Sequence, residues 1–312
     1  MNKEILMNKS NAKIVFVGCV EAGYFCAKRL IKNGIIPSAI VSIDPMKAQN
    51  NNVSGYIDFF DLTIDCERYR PKSYTLKKEE DKAFFINHKF DILVVLGWQR
   101  LILREIIESL SICGLTIHGS GEGLPGGRGR SPMNWAIIKG FDCFYLSLLT
   151  LSPKADGGRI LDTFKFDILP ADTIRTLYYK NALVSSQLLI KNIPILLSGK
   201  EYGTVQDESK ATWYPKRTPD DGRIDWNLTA SEIERLVRAT TTPYPGAFTF
   251  NKGNKLILWG AWLFDRNIKG DELPGTVSAV FPDGSFIVKT GDYYLLVFDY
   301  DGSIPLENDL LK

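Results

Sequence analysis

Residues 13–43 run strand, helix, strand. KIVFVG is a short β-rich run ending on Gly18, the stretch Glu21 to Lys32 has helical spacing, and PSAIVSI returns to a strand pattern. Two strands joined through a helix lie parallel and cross over right-handed, which removes most other topologies at once. The alternation continues downstream. The Asn-rich stretch PMKAQNNNVSGY at 45–56 reads as a loop, and a further helix precedes DILVVLG at 91–97. That uninterrupted apolar run suits a strand covered on both faces. RLILREIIESL at 100–110 reads as a helix and GLTIHG at 114–119 as the next strand. The expected fold class is therefore α/β, a doubly wound and mostly parallel Rossmann-like sheet with ligands at the carboxyl ends of its strands.

The character changes after a long helix from about Asp172 to Leu197. Residues 199–228 carry charge and turn signals (KEYG, DESK, YPKRTPDDG) and read as a linker over a surface. TASEIERLVRA at 229–239 is a short amphipathic helix, with Thr229 or Ser231 as its cap and Glu232 in its first turn. From Tyr244 onward short strands alternate with turns, which predicts a small antiparallel β (OB-like) subdomain. The expected domains are residues 1–200, a linker with a short helix at 201–242, and a small β domain at 243–312.

At 312 residues the chain is long enough for two domains. Its 45% hydrophobic and 24% charged content is that of an ordinary globular protein. Lys and Arg total 38 against 36 Asp and Glu, so nothing in the overall charge drives it toward nucleic acid or an anionic membrane. The five cysteines (Cys19, Cys26, Cys66, Cys113, Cys143) are scattered and never spaced as CxxC, which points to a reducing cytoplasm and no zinc knuckle. The polar start MNKEILMNKSNAK has no signal-peptide core, and no apolar run reaches the roughly 18 residues of a membrane span.

Only two histidines are present, His88 and His118. That excludes a His-rich metal site and leaves two imidazoles for acid–base work near neutral pH. The glycines GEGLPG at 121–126 formally fit GxGxxG. They follow a late strand, contain Pro125 and open no helix, so they do not make a dinucleotide fingerprint. His118 ends a strand and is followed by a Gly-rich loop bearing Arg128 and Arg130; SPKADGG at 152–158 places Asp156 between a strand and a Gly pair. An Asp facing that His would orient the ring, raise its pKa and keep it charged. Position alone leaves two readings open: a catalytic pair, or a satisfied structural histidine and a turn aspartate.

The stretch LTIHGSGEGLPGGRGRSPMNWAIIKG, with SPKADGGRIL downstream, resembles the formyltransferase family that uses 10-formyltetrahydrofolate. ATWYPKRTPDDGRIDWNLTASEIERLVRATTTPYPGAF at 211–248 is similar to the linker and first strand of that family's second domain. The nearest resemblance is to bacterial N-formyltransferases acting on nucleotide-linked amino sugars of the 4-amino-4,6-dideoxy type, as used in lipopolysaccharide O-antigens. The resemblance implies direct attack of a sugar amine on the formyl carbon. It makes His118 and Asp156 catalytic, with a second oxyanion donor two residues before the His.

That donor is Asn in the family and Thr116 here. Three readings follow: Thr116, or a water it holds, serves as a weaker donor; the altered loop SGEGLP supplies a substitute; or activity has been lost. The retained His, Asp and Arg weigh toward an active enzyme. The resemblance places the folate against Arg100, Leu101, Ile102, Arg130 and the segment Ser152, Pro153, Lys154, Ala155 and Asp156. Leu101 and Ile102 are equally suited to ordinary helix-start packing. Trp98 could stack on the nucleotide sugar and Arg128 could fork onto its diphosphate, whereas Trp135 is weighed as core.

The implied co-substrate is 10-formyltetrahydrofolate without a metal. The implied partner is a dTDP- or UDP-linked amino sugar, with no nucleic acid or membrane, and a homodimer is allowed. A methionyl-tRNA formyltransferase is the enzymatic rival, and a catalytically impaired binding homologue is the other alternative. A tRNA-binding barrel should be basic. Residues 241–312 carry six Lys and Arg against nine Asp and Glu, which points away from tRNA.

Overall fold

The computed structural model describes residues 12–312, so the expectation drawn from the chain's first eleven residues lies outside the described part. The strands of the first half are β1 (Ile14–Gly18), β2 (Ala39–Val41), β3 (Glu67–Tyr69), β4 (Ile92–Leu96), β5 (Cys113–Ser120), β6 (Arg128–Gly129), β7 (Cys143–Thr150) and β8 (Ile160–Asp167). Between them come helices α1 (Glu21–Lys32), α2 (Pro45–Asn50), α3 (Glu79–His88), α4 (Arg104–Glu108) and α5 (Pro132–Ile138), and the long α6 (Ile174–Leu197) follows. The seven-stranded sheet runs β3-β2-β1-β4-β5-β7-β8. Its first four pairings are parallel, and β5 with β7 is antiparallel. The chain moves outward from β1 to β3 and then returns to β4 on the other side of β1. The topological switch therefore lies between β1 and β4.

The strands that read as continuous apolar runs are the most buried: every residue of β1 and β4 is inside. On one face Val15, Val17, Leu93 and Val95 pack with Phe84, Phe85, Phe90 and Ile106 in one core cluster. Full burial of each such side chain stabilises the fold by about 1.5–3 kcal/mol. Gly23 shows how closely α1 lies on the sheet, since a Cβ there would sit 2.0 Å from the Leu96 carbonyl oxygen.

Two sequence expectations need correction. Residues 45–50 form helix α2 rather than loop, because Asp44 Oδ1 accepts from Lys47 N at 2.8 Å and Pro45 occupies the first turn. The helix expected over 100–110 is confined to α4, with Leu101 57% exposed ahead of it.

Two compact units emerge. The first comprises the described residues 12–129, 145–166 and 178–213, and the second 130–144, 167–177 and 214–312. They differ from a simple cut near residue 200. Within the second unit α5 packs on α7 (Ala230–Thr240), where Asn134 Nδ2 donates to Ala239 O at 2.7 Å and Arg235 Nε to Ile138 O at 3.1 Å. Conversely, residues 201–213 belong to the first unit, including the first residue of the two-residue strand β9 (Trp213–Tyr214).

The second unit also holds β10 (Ala247–Asn251), β11 (Asn254–Asp265), β12 (Val277–Val280), β13 (Phe286–Lys289) and β14 (Tyr294–Asp301). They form an antiparallel sheet in the order β10-β11-β14-β13-β12. Helix α7 starts with a Thr229–Glu232 capping box, so that of the two candidate caps Thr229 is the one used, and it buries Ile233, Leu236 and Val237 against that sheet's core. No helix among the described residues is long and apolar enough to cross a membrane.

Candidate active site

Strand β5 outruns its neighbour. Its ladder with β4 covers Cys113 to Leu115, whereas its ladder with β7 runs on from Leu115 to Ser120. His118, opposite Ser147, thus stands past the end of the parallel ladder, at the carboxyl edge where open α/β sheets bind ligands. Strand alternation puts Thr116, His118 and Ser120 on one face.

Asp156 arrives from the loop between β7 and β8. Its φ of 53° is in the left-handed region, uncommon for a residue with a side chain. The loop folds back tightly: a Cβ on Gly158 would meet Thr150 O at 1.7 Å. Asp156 Oδ1 lies 3.3 Å from His118 Nδ1, and Asp156 Oδ2 accepts from Gly129 N at 3.3 Å. The two side chains are 11% and 21% exposed.

The electrostatics correct one expectation. Burial dominates and pushes the His118 pKa below the ordinary histidine value; the Asp156 carboxylate pulls it up, and the nearby Arg128 guanidinium pushes it down again. The net direction is downward, which favours a neutral ring over one held charged. With Nδ1 facing the Asp156 carboxylate at 3.3 Å, the tautomer protonated at Nδ1 is favoured and leaves the lone pair on Nε2. Nε2 is buried and has no hydrogen-bond partner among the described residues. Chemically, such an arrangement can accept a proton at Nε2, with the Asp156 carboxylate beside Nδ1 to balance an imidazolium charge.

Arg128 is not the exposed fork that a diphosphate requires. Its side chain is 1% exposed, and both terminal nitrogens are committed: Nη1 and Nη2 to the Glu208 carboxylate at 3.2 and 2.8 Å, and Nη2 to Gln206 Oε1 at 2.8 Å. The Glu208 carboxyl is held below its ordinary range chiefly by that bond. Gln206 and Glu208 escaped sequence reasoning because they lie about 80 residues from Arg128 in a stretch read as surface linker. Spacing carries no signal for a contact of that range.

Trp98 follows β4, is 7% exposed and stands edge-on to Tyr74 with ring centroids 4.7 Å apart. Its Nε1 is buried without a hydrogen-bond partner among the described residues. The Arg100 guanidinium covers the same Tyr74 ring at 4.6 Å and donates to Asn51 Oδ1 at 3.2 Å. Tyr74 Oη also accepts from Gln99 N at 3.2 Å and lies 3.6 Å from Cys19 Sγ. The ends of β1 and β4 are therefore lined by Cys19, Tyr74, Trp98 and Arg100. Tyr74 was missed from sequence because it lies in no regular element. Leu101 faces solvent and Ile102 is in the core at 5% exposure. In the Asp156 loop Ser152 Oγ donates to Lys154 O at 2.7 Å; Pro153 and Lys154 are exposed, and Ala155 is half-buried.

The first unit thus brings together His118, Asp156, Arg128 and Gly129 on one side of β5 and Trp98 to Ile102 after β4. Arg130 and Trp135 belong to the second unit, where Arg130 is exposed. Trp135 stacks on Tyr214 at 5.7 Å and donates Nε1–H to Pro215 O at 3.1 Å. Among the described residues, no group of three His, Cys, Asp or Glu side chains could hold a metal ion.

Comparison with known proteins fits this architecture. HypX from Aquifex aeolicus, solved with tetrahydrofolic acid, is 19% identical over 93% of this chain with a TM-score of 0.65. This chain spans 44% of that protein, less than half its length. An N-formyltransferase from Helicobacter canadensis, solved with folinic acid and dTDP-3-aminofucose, is 15% identical with a TM-score of 0.64, covering 93% of this chain and all of that one. Methionyl-tRNA formyltransferase from Clostridium thermocellum is 19% identical with a TM-score of 0.55, covering 84% of this chain and 95% of that one. At these identities the likeness speaks to fold. The family models go further: one described as formyl transferase matches residues 3–193, and one described as formyl transferase, C-terminal domain, matches residues 216–300. With well over half of its length matched in the expected order, this chain belongs to the formyl transferase family.

Proposed function

We propose that the protein is an N-formyltransferase that moves the formyl group of 10-formyltetrahydrofolate to the amine of a nucleotide-linked amino sugar. The observation that carries it is the buried His118–Asp156 pair with the bare Nε2 at the carboxyl edge of the sheet. The folate donor supplies an activated formyl carbon. The chain's part is to hold the amine and take its proton: as the amine nitrogen bonds to the formyl carbon, His118 Nε2 accepts the proton the amine sheds. Asp156 stabilises the imidazolium so formed, which can return that proton to the departing folate nitrogen. In this reading Thr116, two residues earlier on the same face, offers its hydroxyl to the formyl oxygen.

The choice of a sugar amine over an aminoacyl-tRNA is supported by the acidic balance of residues 241–312. It is supported also by the likeness to an enzyme solved with dTDP-3-aminofucose. The same reading takes Trp98, Arg100 and the segment Ser152–Asp156 as the walls that hold sugar nucleotide and folate, and it uses no metal.

The test incubates the purified protein with 10-formyltetrahydrofolate and, separately, dTDP- and UDP-linked 3-amino and 4-amino sugars and charged initiator tRNA. Release of tetrahydrofolate is followed by absorbance and product by mass. A formylated sugar nucleotide is the expected product. Formylated tRNA with every sugar left unchanged would overturn the proposal.

A further inference from the structure

The segment between the first unit's last helix and β9 behaves as a strap across the site rather than as a linker. Thr204 pairs with Ile160 in both directions, N to O at 2.8 Å and O to N at 2.9 Å. Two residues on, Gln206 is 7% exposed and its amide Nε2 donates to Asp156 O and to Gly158 O, both at 2.7 Å. Its Oε1 accepts from Arg128 Nη2 at 2.8 Å, and Glu208 closes on the same guanidinium. Further along, Thr212 holds the other loop: its Oγ1 accepts from Gly127 N at 2.7 Å and its carbonyl from Arg128 N at 2.9 Å. One short stretch therefore grips both the loop that follows His118 and the loop that carries Asp156.

We propose that Gln206 is a positioning residue for formyl transfer: its carboxamide pins the Asp156 loop to Arg128 and thereby sets the contact between Asp156 and His118. The assignment rests on His118 and Asp156 being the reacting pair. Three arguments carry it. Asp156 has a left-handed backbone that few side-chain-bearing residues adopt unaided, and Gln206 holds the carbonyl of that very residue. A glutamine amide is the only neutral side chain of this length with both a paired donor and an acceptor, so it can satisfy two carbonyls and a guanidinium at once. Arg128 is fully buried and would be costly to leave unpaired, which fixes the Gln206 oxygen in turn.

Gln206→Met keeps length and removes every hydrogen bond; Gln206→Glu keeps the acceptor for Arg128 and sets a carboxylate against the two carbonyls. The chain has only two histidines, so NMR titration of His118 is unambiguous once His88→Gln has identified the other signal. Loosening the loop admits water to a ring whose low pKa comes first from burial. Both variants should therefore move the His118 midpoint up toward the ordinary value of about 6.5. With the acceptor found above, kcat should fall at least about tenfold while KM for the folate changes little, as for a misplaced catalytic group. A lowered melting temperature with the His118 midpoint and kcat unmoved in the better-folded of the two variants would show a merely structural role and overturn the proposal. His118→Gln and Asp156→Asn, assayed alongside, separate the outcomes. If those retain turnover, the assignment of the pair fails; if they are inactive while the Gln206 variants are not, only the role of Gln206 fails.

Discussion

Burial sets the protonation of His118, and the pH behaviour of the protein follows from the sign of that shift. A base that is neutral at pH 7 should keep kcat level as pH falls past about 6.5, with the decline confined to the acid side of that value. A decline beginning above pH ~7 would show a charged imidazole instead. Stability follows the same sign. The unfolded state takes up a proton at about 6.5 and the folded state only at lower pH. The stability that depends on a neutral His118 is therefore fully present above about 6.5 and is lost as pH falls through the lower folded value. Melting curves of the wild type should drop relative to His118→Gln on going from pH ~7 to ~5, and parallel curves would refute this. His118→Gln itself should lower kcat by about 10²–10⁴. At the neighbouring position, Thr116→Asn extends a two-proton amide toward the formyl oxygen and should raise kcat roughly tenfold or more. An unchanged kcat would mean that the threonine already supplies the donor.

At the scale of elements, the loop between β7 and β8 is the most constrained piece of the site. Gly158→Ala would drive a Cβ to 1.7 Å from the Thr150 carbonyl, so the loop must shift and carry Asp156 with it. A displacement of that order should reduce kcat by about a hundredfold with a smaller effect on folate KM, read from steady-state kinetics. The elements also show what local sequence can carry. Helix α1 and strands β1, β4 and β5 lie where period and apolar runs put them, and of the two candidate caps for α7 Thr229 is the one used. Helix α2 was hidden because asparagines outweighed one local cap, Asp44 with Pro45. β3 was hidden because an edge strand of exposed Glu67 and Arg68 shows no alternation.

At the scale of the molecule, charge is unevenly spread: a nearly neutral chain has an acidic last quarter. Each phosphate neutralised by a cationic side chain adds to the salt dependence of nucleic-acid affinity, and this part of the chain offers few cations. Filter binding of tRNA should show only weak association in low salt, and a steep salt slope with tight low-salt binding would argue for the tRNA enzyme. The sequence by itself determined the layered α/β sheet, the appended antiparallel sheet, the strand end bearing His118 and the loop bearing Asp156, because period, caps and strand ends are local properties of the chain. Only the tertiary structure decided that burial lowers the His118 pKa and that Arg128 is locked to Glu208. It also decided that Gln206, 50 residues beyond Asp156, holds that residue's carbonyl. Burial and long-range hydrogen bonds depend on which distant segments the fold brings together, and no spacing in the chain encodes that.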